Sequence, residues 1–151
     1  MTTVCLVGDP EVTLQYELLS RETARDALAT YDIAEPFANS LAVETVSLGA
    51  AVSLLNDLNW YCVRFVDEAL VREPSVSREE WLSRDLATRI RDGTVRPAET
   101  DQRLKIYAVD EDDRLVDPVF AVREQGETPT HERGDDGETV VVRVTEDEFE
   151  G

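Results

Sequence analysis

The sequence predicts an α+β fold: a mixed sheet of four to six strands, covered largely on one face by three helices. Three kinds of pattern point to it. Short β-rich runs end at glycine or proline, long stretches carry apolar residues at helical spacing, and two late apolar runs flank an acidic turn. The folded part is expected over residues 1–123, followed by an acidic linker and tail over 124–151 with an extra strand expected at 139–145.

The first strand is Thr3 to Val7, stopped by Gly8, and Asp9-Pro10-Glu11 follow as turn residues with Pro10 suited to the second position of a type I turn. From Val12 to Leu18 apolar and polar residues alternate, which predicts the second arm of a hairpin. The competing reading starts a helix at Pro10 and runs it to Tyr31, and residues 12–18 stay open between strand and helix. In both readings Ser20 to Tyr31 is helical, with Ala24, Ala27, Leu28 and Tyr31 on one face. Leu41 to Leu48 reads as a strand ended by Gly49. Ala51, Leu55, Leu58, Cys62, Phe65 and Ala69 then recur at spacings of three and four, predicting one amphipathic helix from Ala50 to Val71. Pro74 stops it. Ser77 and Glu80 have the spacing of a capping box for a third helix, Arg78 to Arg91, closed by Asp92-Gly93. Leu104 to Val109 and Leu115 to Val122 form a hairpin about Asp110 to Arg114. Gln125 to Glu138 reads as a polar linker, and Thr139 to Val144 is an apolar island beyond it.

Composition bounds the setting. A chain of 151 residues with 42% apolar content needs no staple, since a globule of roughly 150 residues hides about 70% of its unfolded surface. The net charge is −18, from 33 acids against 15 bases, and the bases are fourteen arginines and the single Lys105. Such a charge self-repels in dilute buffer, but the Debye length falls to about 3 Å near 1 M salt. The acidity therefore reads as adaptation to a salt-rich cytoplasm, where net charge no longer argues against nucleic acid. The alternative is an acidic protein built for a basic partner. Cys5 and Cys62 lie far apart with no zinc-ligand spacing, Met1-Thr2-Thr3-Val4 lacks the basic start of a signal peptide, and no apolar run approaches the ~18 residues of a membrane span. A reducing cytoplasm, no membrane, no metal and no cofactor are the expectations.

Several enzyme classes find no motif: there is no GxGxxG, P-loop, GxSxG or HExxH, and the one histidine, His131, sits in the tail. Cys5 lies in the apolar run Val4-Cys5-Leu6-Val7, where burial raises a thiol pKa, so it and Cys62 read as core residues. Asp110 to Asp113 lack the glycine and ligand spacing of a calcium loop and read as a charged hairpin tip. The candidate contact residues are Trp60 and Arg64, one helical turn apart, and Trp81, Arg84 and Arg91 on the expected third helix. Asn56, Asp57 and Asn59 accompany the first pair. The segment from Arg84 to Lys105 holds six cations and four acids, a local excess suited to phosphate, a nucleic-acid backbone or an acidic protein. The alternative is that the tryptophans anchor a core and the arginines join surface ion pairs. Val140, Val141, Val142 and Val144, followed by Thr145-Glu146-Asp147-Glu148, form a strand motif that can add to a sheet edge in cis or in trans, and it resembles short motifs that bind ubiquitin-like modifiers.

The segments Leu18-Leu19-Ser20-Arg21-Glu22-Thr23-Ala24, Ser53-Leu54-Leu55-Asn56-Asp57-Leu58-Asn59-Trp60-Tyr61 and Glu80-Trp81-Leu82-Ser83-Arg84-Asp85-Leu86 resemble an uncharacterised protein family of halophilic archaea, over about residues 1–123. The resemblance implies a source and a setting and transfers no activity or site. The favoured reading is a non-enzymatic interaction or regulatory module that holds a protein partner or a second copy of itself. The alternative is a nucleotide- or RNA-linked protein using Arg84 to Lys105, with Asp57 or Asp85 as acid/base groups if it is an enzyme.

Overall fold

The computed structural model describes residues 1–124 and 138–150. Most of the predicted linker, and His131 within it, lie outside these residues. The fold is α+β and the sheet is mixed, but the described residues form seven strands rather than four to six, in the order β2-β1-β3-β4-β7-β5-β6, and six α-helices rather than three, because the two long predicted helices are each cut short or divided.

Strand β1 (Thr2–Gly8) occupies the middle of one half, antiparallel to β2 (Ser40–Thr45) on one edge and β3 (Val66–Arg72) on the other. Both edges of β1 are therefore taken, and the predicted hairpin with residues 12–18 has no edge to pair with. The chain instead turns at Asp9, whose carbonyl accepts from Val12 N at 3.1 Å with Pro10 in the second position, and enters helix α1 (Leu14–Leu19). Leu14 and Leu18 are buried, while Tyr16 is 68% exposed. Thr13 gives no side-chain cap; Leu14 N donates to Asn39 Oδ1 at 2.8 Å. Helix α2 (Glu22–Leu28) is a separate piece, so the alternative of one continuous helix to Tyr31 is also corrected.

Helix α3 (Leu48–Asp57) starts on Ser47, whose hydroxyl accepts from Ala50 N at 3.1 Å. Leu58 ends it and opens helix α4 (Asn59–Phe65). The predicted helix to Val71 stops at Phe65, because Val66 turns to extended backbone and residues 66–72 become β3. Six rungs to β1 outweigh a helical period that Ala69 would have continued. The third helix is likewise shorter than expected. Ser77 Oγ does accept from Glu80 N at 3.0 Å, but the next residues form strand β4 (Trp81–Ser83). The working cap is Ser83, which accepts from Leu86 N at 3.1 Å and starts helix α5 (Arg84–Arg91). Asp92 and Gly93, the latter at φ 78°, close it as predicted.

Strands β5 (Arg103–Val109) and β6 (Leu115–Val122) form the predicted hairpin. The valine island is β7 (Thr139–Arg143), parallel to β4 and antiparallel to β5 of this same chain, and helix α6 (Glu146–Glu150) follows it. Among the described strands, β7 alone joins the β2-β1-β3-β4 half to the β5–β6 hairpin.

Helices α1 to α5 cover one face of the first half: Val4, Leu6, Leu41, Val43, Val71 and Leu82 pack there against Leu14, Leu18, Leu28, Leu55 and Leu86. The opposite face buries Cys5, Ala42, Leu70, Trp81, Tyr107 and Val142, with Phe37 and Phe149 packed against them. That face is strongly curled. In a flat sheet β3 and β5, three strand intervals apart, would stand about 14 Å from each other. The long side chains bridge this interval, with Lys105 Nζ on β5 lying 3.0 Å from Glu68 on β3 and Tyr107 OH donating to the same carboxylate. Ala38 N similarly reaches Asp113 O at 2.8 Å, tying the connection before β2 to the β5–β6 turn.

Candidate functional site

Helix α4 is about two turns of surface chemistry held between α3 and β3. Tyr61 and Cys62 turn inward, which leaves Trp60 48% exposed and Val63 72% exposed on the outer side. Arg64, one turn on, donates to Trp60 O at 2.9 Å and lays its guanidinium 3.8 Å from the Trp60 ring centroid. Arg21, from the link between α1 and α2, comes to 5.7 Å from the same ring and 5.1 Å from Phe65. Tyr61 and Phe65 meet Trp60 edge-on at 5.1 Å and 6.1 Å. The indole is thus held by neighbours on two sides and still open to solvent. Arg21 also pairs with Glu17 at 2.8 Å, so its position is tethered from α1. Sequence reasoning found Trp60 and Arg64 from their spacing but missed Arg21 and Val63; Arg21 comes from a different element, and nothing local links it to Trp60.

Trp81 belongs elsewhere. It is 4% exposed on the curled face, with Arg72 stacked 4.4 Å from its ring and Phe37 edge-on at 6.4 Å. It shares no exposed face with Arg84. Arg84 opens α5, donates to Asn56 Oδ1 at 3.2 Å, and joins Asn56, Asp85 and Glu68 around a cleft of about 410 Å³. Arg91 pairs with Asp92 at 2.7 Å, and Asp57 is exposed at the end of α3.

The basic segment is locally neutralised. Arg89 reaches Asp85 and Asp147, Arg96 reaches Glu99, Arg103 reaches Glu146 and Lys105 reaches Glu68, each within 4 Å. Two of those acids, Glu146 and Asp147, come from the tail beyond β7, so the acids after the valine island meet basic residues of this same chain. Thr145 and Glu148 make a reciprocal cap at the start of α6, and Glu148 also accepts from Ser83 Oγ at 2.6 Å.

Two buried polar groupings were not foreseen. Glu80, expected as a capping acid, instead accepts from Arg143 Nε at 2.8 Å and from Arg123, and Arg143 also donates to Thr100 at 3.1 Å. Burial alone would push Glu80 up, but the two guanidinium groups outweigh it and hold the carboxyl below the usual range. Around Glu68, burial would push Lys105 down, yet Tyr107 and Glu68 together hold it above its ordinary value; Tyr107 is pushed up to about 12, chiefly by burial. The signal for this second group was visible as the one lysine in a chain of arginines.

Both thiols are buried, and burial pushes Cys5 up to about 12 and Cys62 upward, against the environment a nucleophile needs. Asp110 Oδ1 accepts from Asp112 N and Arg114 N within the hairpin tip. Among the described residues no cluster of three or more potential metal ligands occurs, and no helix is long and apolar enough to cross a membrane.

The model of a family of unknown function (DUF5804) matches this chain over residues 2–109. No curated protein and no solved structure matches. The matched range runs from β1 through β5 and leaves β6, β7 and α6 outside it.

Proposed function

We propose, for a chain that belongs to this family of unknown function, that it is a non-enzymatic interaction module of a salt-rich cytoplasm, and that it holds an acidic protein partner against the outer face of α4. The observation that carries the reading is the Trp60 platform, an indole half open to solvent with Arg64 stacked at 3.8 Å and Arg21 at 5.7 Å. Tryptophan and arginine dominate the few residues that supply most of an interface's binding energy. An exposed cation–π pair contributes about 0.5–1 kcal/mol and more once desolvated, so a partner that covers the indole strengthens contacts already in place. Arg21 is already paired with Glu17, but Arg64 meets no carboxylate among the described residues and so offers this face one cation to a carboxylate-bearing partner.

The nucleic-acid reading draws less support, because Arg89, Arg91, Arg96, Arg103 and Lys105 already meet carboxylates. The test is affinity isolation from an extract kept in molar KCl. A protein retained by the wild type and by Arg91→Ala, and lost with Trp60→Ala/Arg64→Ala, is the expected result. Retention of the same proteins by the double variant, or of none by the wild type, overturns the proposal.

A further inference from the structure

A second site lies on the curled face, in a cleft of about 430 Å³ to which α4 contributes nothing. Strand register lays out its floor. Thr3 on β1 pairs with Glu44 on β2 and with Arg72 on β3, so these three side chains form one row on one face. Trp81 on β4 continues the row, with the Arg72 guanidinium 4.4 Å from its ring centroid. The connection before β2, bridged to it at Ala34 and Ala42, supplies the opposite wall with Asp32 and Phe37.

The charged residues that line this cleft do not pair with one another. Among the described residues Arg72 makes no ion pair, and neither do Asp32 and Glu44, although all three line the same space. The reason is geometric. Stacking on Trp81 turns Arg72 toward β4, while Glu44 rises from β2, two strand intervals or about 10 Å from the Arg72 backbone. Room is left above Thr3, with a cation at one end, carboxylates at the other, and the Phe37 and Trp81 rings beside it. A plain anion would meet two carboxylates and a net charge of −18, and a plain cation would meet Arg72. A molecule carrying both charges satisfies both ends.

We propose that this cleft binds a small zwitterion with an apolar side chain, the chemistry of a free apolar amino acid. Its carboxylate pairs with Arg72, its ammonium with Glu44 and Asp32, and its side chain packs on Phe37 and the edge of Trp81. The volume falls within the range of about 300–1,000 Å³ usual for small-molecule sites. The site stands apart from the α4 platform, so either proposal can fail without the other.

The probes are L-phenylalanine, N-acetyl-L-phenylalanine, which keeps only the negative charge, and L-phenylalanine amide, which keeps only the positive one. Titrations in molar KCl are read by amide and indole N–H resonances of the full chain. The expected result is saturable shifts at Trp81, Thr3 and Glu44 with L-phenylalanine, at least tenfold weaker binding of both blocked probes, and a tenfold or greater loss in Arg72→Gln and in Glu44→Gln. Glu44 is exposed, so the Glu44→Gln variant keeps the test valid if Arg72→Gln disturbs Trp81. Absence of saturable shifts, equal binding of the N-acetyl probe, or an unchanged affinity in Glu44→Gln overturns the assignment.

Discussion

Truncating Glu80 to alanine should loosen the join between the two halves of the sheet. Arg143 sits on β7, whose ladder to β4 has only two rungs, Trp81↔Val142 and Leu82↔Arg143. Glu80, just before β4, accepts from Arg143 at 2.8 Å and from Arg123, and all three side chains are largely shielded from solvent. Removing the carboxylate leaves Arg143 buried with Thr100 as its remaining partner. Breaking a buried pair from one side costs about 3–5 kcal/mol, because the surviving charge stays desolvated. That is a large share of the 5–15 kcal/mol typical of a whole domain. With a urea slope near 2 kcal/mol/M the midpoint should fall by about 1.5–2.5 M at fixed KCl. Amide exchange at residues 140–143 should accelerate ahead of exchange in β1. Acid titration gives the same interaction from the other side. Glu80's folded pKa lies below its unfolded value of about 4.3, so its contribution is complete above that value and disappears as pH falls through the folded pKa. Glu80→Ala should remove that part of the acid limb. A midpoint shift under about 0.5 M, with exchange at 140–143 unchanged, would refute the reasoning.

Gly8→Ala should destabilise by about 1–3 kcal/mol, as overpacking does, because a Cβ there would stand 2.7 Å from Asn39 Nδ2 and 2.8 Å from Leu14 Cβ; an unchanged melting temperature would count against it. Cys5, buried and with its thiol pushed up to about 12, should resist aromatic disulfide reagents at pH 8 in the native protein and react fully after unfolding; fast native labelling would reopen it as a nucleophile. Folding should strengthen with KCl, since a net charge of −18 repels itself when unscreened; identical circular dichroism and melting from 0.05 M to 3 M, a range of about 14 Å to 2 Å in Debye length, would remove the case for salt adaptation.

Local chemistry made β1, most of β2 and the β5–β6 hairpin legible as apolar runs, but the stop expected at Gly49 was misread, since β2 already ends at Thr45 and Leu48 and Gly49 belong to α3. It also revealed the stop at Asp92-Gly93, the burial of both thiols, and the capacity of Val140 to Val144 to form a strand. What it left open, tertiary structure decided. Leu14 and Leu18 suit a strand and a helix equally; the choice followed from β2 and β3 occupying both edges of β1 and from Asn39, distant in sequence, supplying the acceptor for Leu14 N. The helical period through Ala69 lost to the rungs β3 makes with β1, and Ser77 capped a turn rather than a helix because Trp81 and Leu82 had partners on β3 and β7. Trp60 and Arg64 were visible as a pair at helical spacing, whereas Arg21 joined them only through packing, and Trp81 was drawn inward with Arg72 on the far side of the sheet. Side chains one turn apart are neighbours by helix geometry alone. Which strand lies beside which, and which charge is left without a mate, depends on every other segment finding its place.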